Sequence, residues 1–200
     1  MLDYENKNCC HCSKEAVKYC VNPAIPNIHS NWISNSIVAM QRPHKKSHFQ
    51  HDETPLMDSF KNLGITAIIN CSELGEHPNC GDGIIDSTGL SYEPYDVIKE
   101  GIEYYHYGWE DYTTPSMNLM QEMVHVGKSI IEKGGKICVH CHAGLGRTGI
   151  FIACLLISLE NISPEEAITR VRTSRQNSIP TKLQEDYIHE YYKVSNGIPK

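Results

Sequence analysis

Two hundred residues at 40% apolar content can bury a sizeable core, so a single domain with at most a short appendage is expected. A formal charge of −6 excludes the broad cationic face of a general nucleic-acid binder, and any anion site must therefore be local. The start, Met-Leu-Asp-Tyr-Glu, has neither the apolar run of a secretory signal nor the basic character of a transit peptide, and the apolar run Ile150 to Leu159 is too short to span a bilayer; a cytoplasmic chain without membrane insertion is expected.

The first 30 residues hold Cys9, Cys10, His11, Cys12 and Cys20. They offer one C-x-x-C and a histidine but lack the second ligand pair of a zinc ribbon, so an extended or loosely packed segment with reduced thiols and no metal is expected. Nine cysteines, an odd number, likewise argue against a complete disulfide framework. The domain itself is expected over residues 31–195, with residues 196–200 as a tail.

Asn35 to Met40 reads as a strand, and Pro43 to Asp52, with His44, His48 and His51, as a solvated loop. Thr54 can cap a helix that has Pro55 in its first turn, Leu56, Phe60 and Leu63 on one face and Gly64 at its end. Ile65 to Asn70 is nearly all apolar, as a strand buried on both faces should be. Residues 71–101 read as a long functional loop or a small hairpin excursion. Glu103 to Tyr107 predicts a strand and Gly108 to Thr114 a loop. Thr114-Pro115 then opens a helix reaching about Lys133, where Gly134-Gly135 ends it. Lys136 to His140 is a short β-branched run, and Ile150 to Leu159 suits a fully buried helix. Ser163-Pro-Glu-Glu166 and Thr181-Lys-Leu-Gln184 match the capping box and start two further helices. Interleaved strands and helices followed by helices alone predict an α/β fold with a mostly parallel central sheet and an all-helical C-terminal part.

The chemistry concentrates in His140-Cys141-His142-Ala143-Gly144-Leu145-Gly146-Arg147-Thr148-Gly149, between a strand and a helix. Gly144, Gly146 and Gly149 spell the dinucleotide fingerprint G-x-G-x-x-G, but no strand and ribose-binding acid follow at the required place, and the Gly-Lys-Ser/Thr of a P-loop is absent. With Cys141 as nucleophile the pattern makes sense. Backbone N–H groups of Ala143, Gly144, Leu145 and Gly146 and the start of the following helix can cradle a phosphate dianion. Arg147 adds a fork that grips two phosphate oxygens, and the same positive field favours thiolate over thiol. The Thr148 hydroxyl can hydrogen-bond the sulfur as it becomes a leaving group.

His140-Cys141 to Arg147-Thr148 resembles the H-C-x5-R-S/T loop of cysteine-dependent protein phosphatases. The resemblance implies a metal-free phosphocysteine mechanism, with His140, Cys141, Arg147 and Thr148 catalytic and His142, Ala143, Gly144, Leu145 and Gly146 binding phosphate. It also implies a general acid on a loop about 30 residues upstream, which Trp109-Glu110-Asp111 supplies in Asp111. Ser30-Asn-Trp-Ile, Ile37 to Pro43, Leu74 to Gly81, Tyr107 to Tyr112 and Arg172 to Ile179 extend the likeness to the protein tyrosine phosphatase domain-containing protein 1 family. That family implies a dual-specificity-type fold and an association with cilium or centrosome. By the same resemblance Arg172, Arg175 and Ser178 to Gln184 line the pocket; Gln184 either serves there or completes its capping box. Cys71 departs from the family pattern and stands as a candidate redox partner of Cys141.

The implied partner is a phosphorylated protein, phosphotyrosine first and phosphoserine or phosphothreonine with it, and no cofactor is called for. The aromatic recognition segment Lys-Asn-Arg-Tyr is absent, and His142 and Leu145 stand where phosphoinositide phosphatases carry lysine. A phosphoinositide or RNA 5′-phosphatase, and a catalytically weak phosphate-binding module, remain as alternatives.

Overall fold

The computed structural model describes residues 23–45 and 56–198. The N-terminal cysteines, Thr54 and Pro55, and most of the histidine loop lie outside them. Among the described residues, in chain order, are β1 (Ser30–Ser34), β2 (Ile37–Met40), α1 (Leu56–Leu63), β3 (Ala67–Asn70), α2 (Pro94–Ile98), β4 (Glu103–His106), α3 (Met117–Glu132), β5 (Ile137–His140), α4 (Gly146–Glu160), α5 (Pro164–Ser174) and α6 (Lys182–Ser195).

The five strands form one sheet in the order β1-β2-β5-β3-β4. Only β1 runs antiparallel to its neighbour, so the mostly parallel sheet read from the sequence is what the chain builds. Parallel strands are buried on both faces, and β2, β3 and β5 are buried at every residue. Their alternate residues point to opposite layers. Ile37, Ala39, Ala67, Ile69, Ile137 and Val139 face a core completed by α3, α4, α5 and α6, whereas Val38, Met40, Ile68 and Cys138 face one completed by Leu56 and Phe60 of α1 with Ile25, Ile28, Tyr92 and Val97. Helix α4 is buried continuously from Arg147 to Ile157 and forms the centre of the first layer.

Several boundaries differ from the sequence reading. The strand expected from Asn35 starts at Ile37, because Ser34 and Ser36 form the turn into it. Strand β1 was not anticipated: its polar Ser-Asn-Trp-Ile-Ser pairs at the sheet edge. It begins ahead of the proposed domain boundary at Asn31, and Ile25 and Ile28 before it are already fully buried. Within the 71–101 excursion, Ile85 and Leu90 form an isolated bridge and Pro94–Ile98 a short helix. The cap of α3 is Ser116, not Thr114: its Oγ accepts the N–H of Leu119 at 3.2 Å. Ser163 and Thr181 cap α5 and α6 as expected.

Replacing Ser116 with Ala is expected to cost about 1 kcal/mol, which lowers the thermal midpoint by about 3 °C in a chain of this size. Thr114→Ala should leave the midpoint unchanged in the same melt.

Candidate active site

Strand β5 lies in the middle of the sheet and ends at His140, so Cys141 emerges at the carboxyl edge, the usual ligand-binding edge of such sheets. The chain then turns sharply into α4. At Gly144 φ is +71°, and a Cβ there would lie 1.9 Å from the Met40 carbonyl oxygen, so only glycine fits. Arg175, itself buried, donates from Nε to the Gly144 carbonyl at 2.6 Å and from Nη2 to the Ala143 carbonyl at 3.0 Å. With these carbonyls turned toward Arg175, the backbone N–H groups of Ala143, Gly144, Leu145, Gly146 and Arg147 have no protein acceptor among the described residues. Five adjacent donors at the positive end of a 15-residue helix form an anion cradle. The sequence reading set Arg175 among pocket-lining residues. It stands behind the cradle instead, fixing its backbone. Arg172 likewise pins the Ser178 and Ile179 carbonyls and pairs with Glu185.

Cys141 and Arg147 are 2% and 0% exposed. Burial opposes a charged guanidinium, but the Glu76 carboxylate offsets it in a two-pronged pair, Nη1 to Oε2 at 2.6 Å and Nη2 to Oε1 at 2.7 Å. The Arg147 Nη1 also donates to the Trp109 carbonyl at 2.9 Å and the Cys71 carbonyl at 3.2 Å. Its Nε lies 3.2 Å from Asp111 Oδ1. Arg147 thus draws three separate segments together, and Asp111 lies on its Nε edge. Burial, the largest influence on Glu76, raises its proton affinity. The hydrogen bonds and charge of Arg147, with smaller help from the Glu73 N–H and His77, outweigh it and hold the carboxyl below its ordinary value of 4.5.

Glu76 went unrecognised in the sequence because it sits in a loop 71 residues before its partner. The one available signal was its position inside Leu74 to Gly81, a stretch that carried family resemblance without an assigned role. Arg42 is a second such residue. Its guanidinium donates to the carbonyls of Glu76, His77 and Cys80, while its backbone N–H bonds the His142 carbonyl at 3.0 Å.

The remaining candidates separate by what they touch. His140 is buried, and its Nδ1 lies 3.1 Å from the Cys141 carbonyl, which can only accept; Nδ1 therefore carries the proton and Nε2 accepts from the Tyr92 hydroxyl at 2.7 Å. Tyr92 packs edge-on against Tyr104, ring centroids 6.1 Å apart, and the Tyr104 hydroxyl accepts from Asn70 Nδ2 at 2.9 Å. Burial, helped by the charge of Arg42, pushes the His140 imidazole down to about 3, so it is neutral and its place is behind the Cys141 backbone. The Thr148 hydroxyl is buried with no hydrogen-bond partner among the described residues, and so are both amide atoms of Gln184. The Gln184 amide does not complete the capping box: a Cβ added to Gly146 would lie 3.0 Å from its Nε2, so it abuts the cradle. Burial first, then the charges of Arg42, His77, Arg147 and His44, push His142 down to about 2.

Cys71 is a buried free thiol beside this site, raised well above its usual value by burial and then by the charge of Cys141. His77, Cys80 and His142 bring one ligand atom each within 4.8 Å, a donor set suited to zinc. Cys80 is disulfide-bonded, however, so that set lacks its thiolate. Among the described residues no helix is long and apolar enough to cross a membrane.

Residues 48–194 match the family model of the dual specificity phosphatase catalytic domain. The chain is 36% identical over 188 residues to protein tyrosine phosphatase domain-containing protein 1 of Mus musculus, a match that covers 90% of this chain and 24% of that protein. It is 28% identical over 155 residues to dual specificity protein phosphatase CDC14A of Homo sapiens, covering 74% of this chain and 23% of that one. The chain therefore spans about a quarter of the length of these curated relatives. Among solved structures, PTPMT1 in complex with PI(5)P has the same fold, with a TM-score of 0.68 at 19% identity over 84% of this chain and 97% of that one.

Because the Glu76 carboxyl is held below its ordinary value, the stability it contributes is present above about pH 4.5 and is lost as pH falls through the lowered value. Glu76→Ala leaves the buried guanidinium with Asp111 alone and is expected to cost about 3 kcal/mol in urea unfolding at pH 7. The gap from wild type should narrow as unfolding is repeated at pH values below the carboxyl range.

Proposed function

The chain belongs to the dual specificity phosphatase catalytic-domain family, and from that membership we propose that it hydrolyses phosphate monoesters on proteins, phosphotyrosine first and phosphoserine or phosphothreonine with it. The reading is carried by one observation: five unengaged backbone donors and a buried arginine surround a cysteine at a helix N-terminus, with an aspartate on the arginine.

In this reading the substrate dianion enters the cradle and takes the place of Asp111 on Arg147 Nε, while Glu76 keeps the Nη1–Nη2 edge and the guanidinium does not turn. The Cys141 thiolate attacks phosphorus in line with the ester oxygen. An S–P bond forms as the P–O ester bond breaks, and the proton of Asp111 passes to the leaving oxygen. The cradle N–H groups and Arg147 hold the equatorial oxygens, whose charge is spread in the transition state. Water then attacks the phosphocysteine, and Asp111, now ionised, takes its proton. The Thr148 hydroxyl, without a partner in the free site, donates to the sulfur as it leaves. None of these steps draws on a metal. His140 keeps the Cys141 backbone in place through its Nδ1–H, and Gln184 lines the cradle.

A protein substrate is favoured over a phosphoinositide or RNA because a lysine-free cradle with a neutral His142 offers the phosphate one full cation, and the chain as a whole is acidic.

With p-nitrophenyl phosphate in EDTA and reductant, wild type should turn over, Cys141→Ser should be inactive, and Asp111→Asn should lose about 10²-fold or more in kcat. Inactivity of all three in folded protein would leave a phosphate-binding module. Panels of phosphopeptides, phosphoinositides and 5′-triphosphorylated RNA then decide the substrate class, and turnover confined to lipid or RNA would overturn the protein assignment.

A further inference from the structure

His77 lies in the Leu74 to Gly81 stretch, which carried resemblance without an assigned role, and it touches two of the site's loops. Its φ is +50°, in the left-handed region, where a residue other than glycine costs about 1 kcal/mol. Arg42 holds this conformation by donating to the carbonyls on both sides and at His77 itself, at 3.1 Å to Glu76, 2.8 Å to His77 and 3.2 Å to Cys80. The ring is thereby presented to the cradle, parallel to His142 at a centroid distance of 3.9 Å and an angle of 15°. Because His142 is neutral, the stack brings no second positive charge against His77. From that position His77 Nε2 lies 3.6 Å from Asp111 Oδ2, while the other carboxyl oxygen, Oδ1, faces Arg147. The other charges near His77 are the Arg42 guanidinium on its carbonyl and Glu76, one residue before it.

This inference rests on the reading of Asp111 as the acid. An arriving phosphate takes Arg147 from Oδ1, and the carboxyl is then placed by the Tyr112 N–H, 3.0 Å from Oδ1, and by His77 on its Oδ2 side. We propose that His77 is a positioning residue for the general acid, donating its Nε2–H to Oδ2 so that the proton of Asp111 sits on Oδ1, the oxygen that faced Arg147 and now faces the ester oxygen. The Oδ1 proton goes to the leaving group, and His77 retains its own. A contact of 3.6 Å in the free site shortens to hydrogen-bond length once Arg147 releases the carboxyl.

The test measures kcat/KM for aryl phosphates of graded leaving-group pKa with wild type, His77→Asn, His77→Gln, Asp111→Asn and the His77→Asn/Asp111→Asn double variant. Asn tolerates the left-handed backbone but is too short to reach Asp111, so its effect is not a collapsed loop; thermal melts check that each variant folds. For His77→Asn we expect a loss of about tenfold with the poorest leaving groups and little with the best, since an acid matters only where the departing oxygen needs a proton. His77→Gln, whose amide N–H can reach Oδ2, should recover most of this loss, and the double variant should be no slower than Asp111→Asn. A uniform loss across the series, an additive double variant or no loss at all overturns the proposal. If Asp111→Asn itself shows no steeper leaving-group dependence, the acid reading fails, and the His77 proposal falls with it.

Discussion

A guanidinium with no exposure to solvent must be neutralised, and the region around Cys141 is arranged around that requirement. Arg147 cannot be left uncompensated, since an unpaired buried charge costs several kcal/mol. Glu76 meets it with a bidentate pair. Glu76 needs its own support, which Arg42 gives by gripping the backbone of residues 76–80. The second contribution, from Asp111, is held by one 3.2 Å contact and can be exchanged for a ligand's charge. Permanent and exchangeable compensation thus sit on different edges of one planar group, a division that a lysine's single ammonium does not offer.

The cradle has a similar division of labour. Its donors are free because its carbonyls are occupied from behind by Arg175, and its entry is held because the His140 ring ties the Cys141 carbonyl to the Tyr92 hydroxyl. Unsatisfied groups such as the cradle N–H set, the Thr148 hydroxyl and the Gln184 amide are costly in a folded chain. Here they are surrounded by a rigid sheet edge and a buried helix that over-determine their positions.

Much of this was legible in the sequence. The strand, the glycine turn, Cys141, Arg147 and the buried helix are consecutive, so local pattern and local chemistry agree. Asp111 was legible because its spacing and neighbouring Trp109 carried a resemblance. Glu76, Arg42 and His77 were not, because what places them is three-dimensional: a carboxylate across the sheet, a guanidinium reading backbone carbonyls, a ring in the left-handed region. None of these leaves a periodicity. The cap of α3 was misplaced for a simpler reason, since Thr114-Pro115 satisfies the same local rule as Ser116 and only the backbone geometry chooses between them. The polar edge strand β1 carries too little apolar pattern to be seen at all.

The position of β5 in the sheet bears on how the molecule comes to exist. Ile137 pairs with Ile37 on one side and Ala67 on the other, so the strand ahead of Cys141 is fixed by partners 100 and 70 residues upstream. Such pairings close large loops and are slow to form. Arg175, which braces the loop from just beyond α5, follows Cys141 in the chain and so joins it later in synthesis. Until both sheet contacts and that brace are in place there is no cradle around Cys141, so the anion site is among the last features of the chain to be assembled.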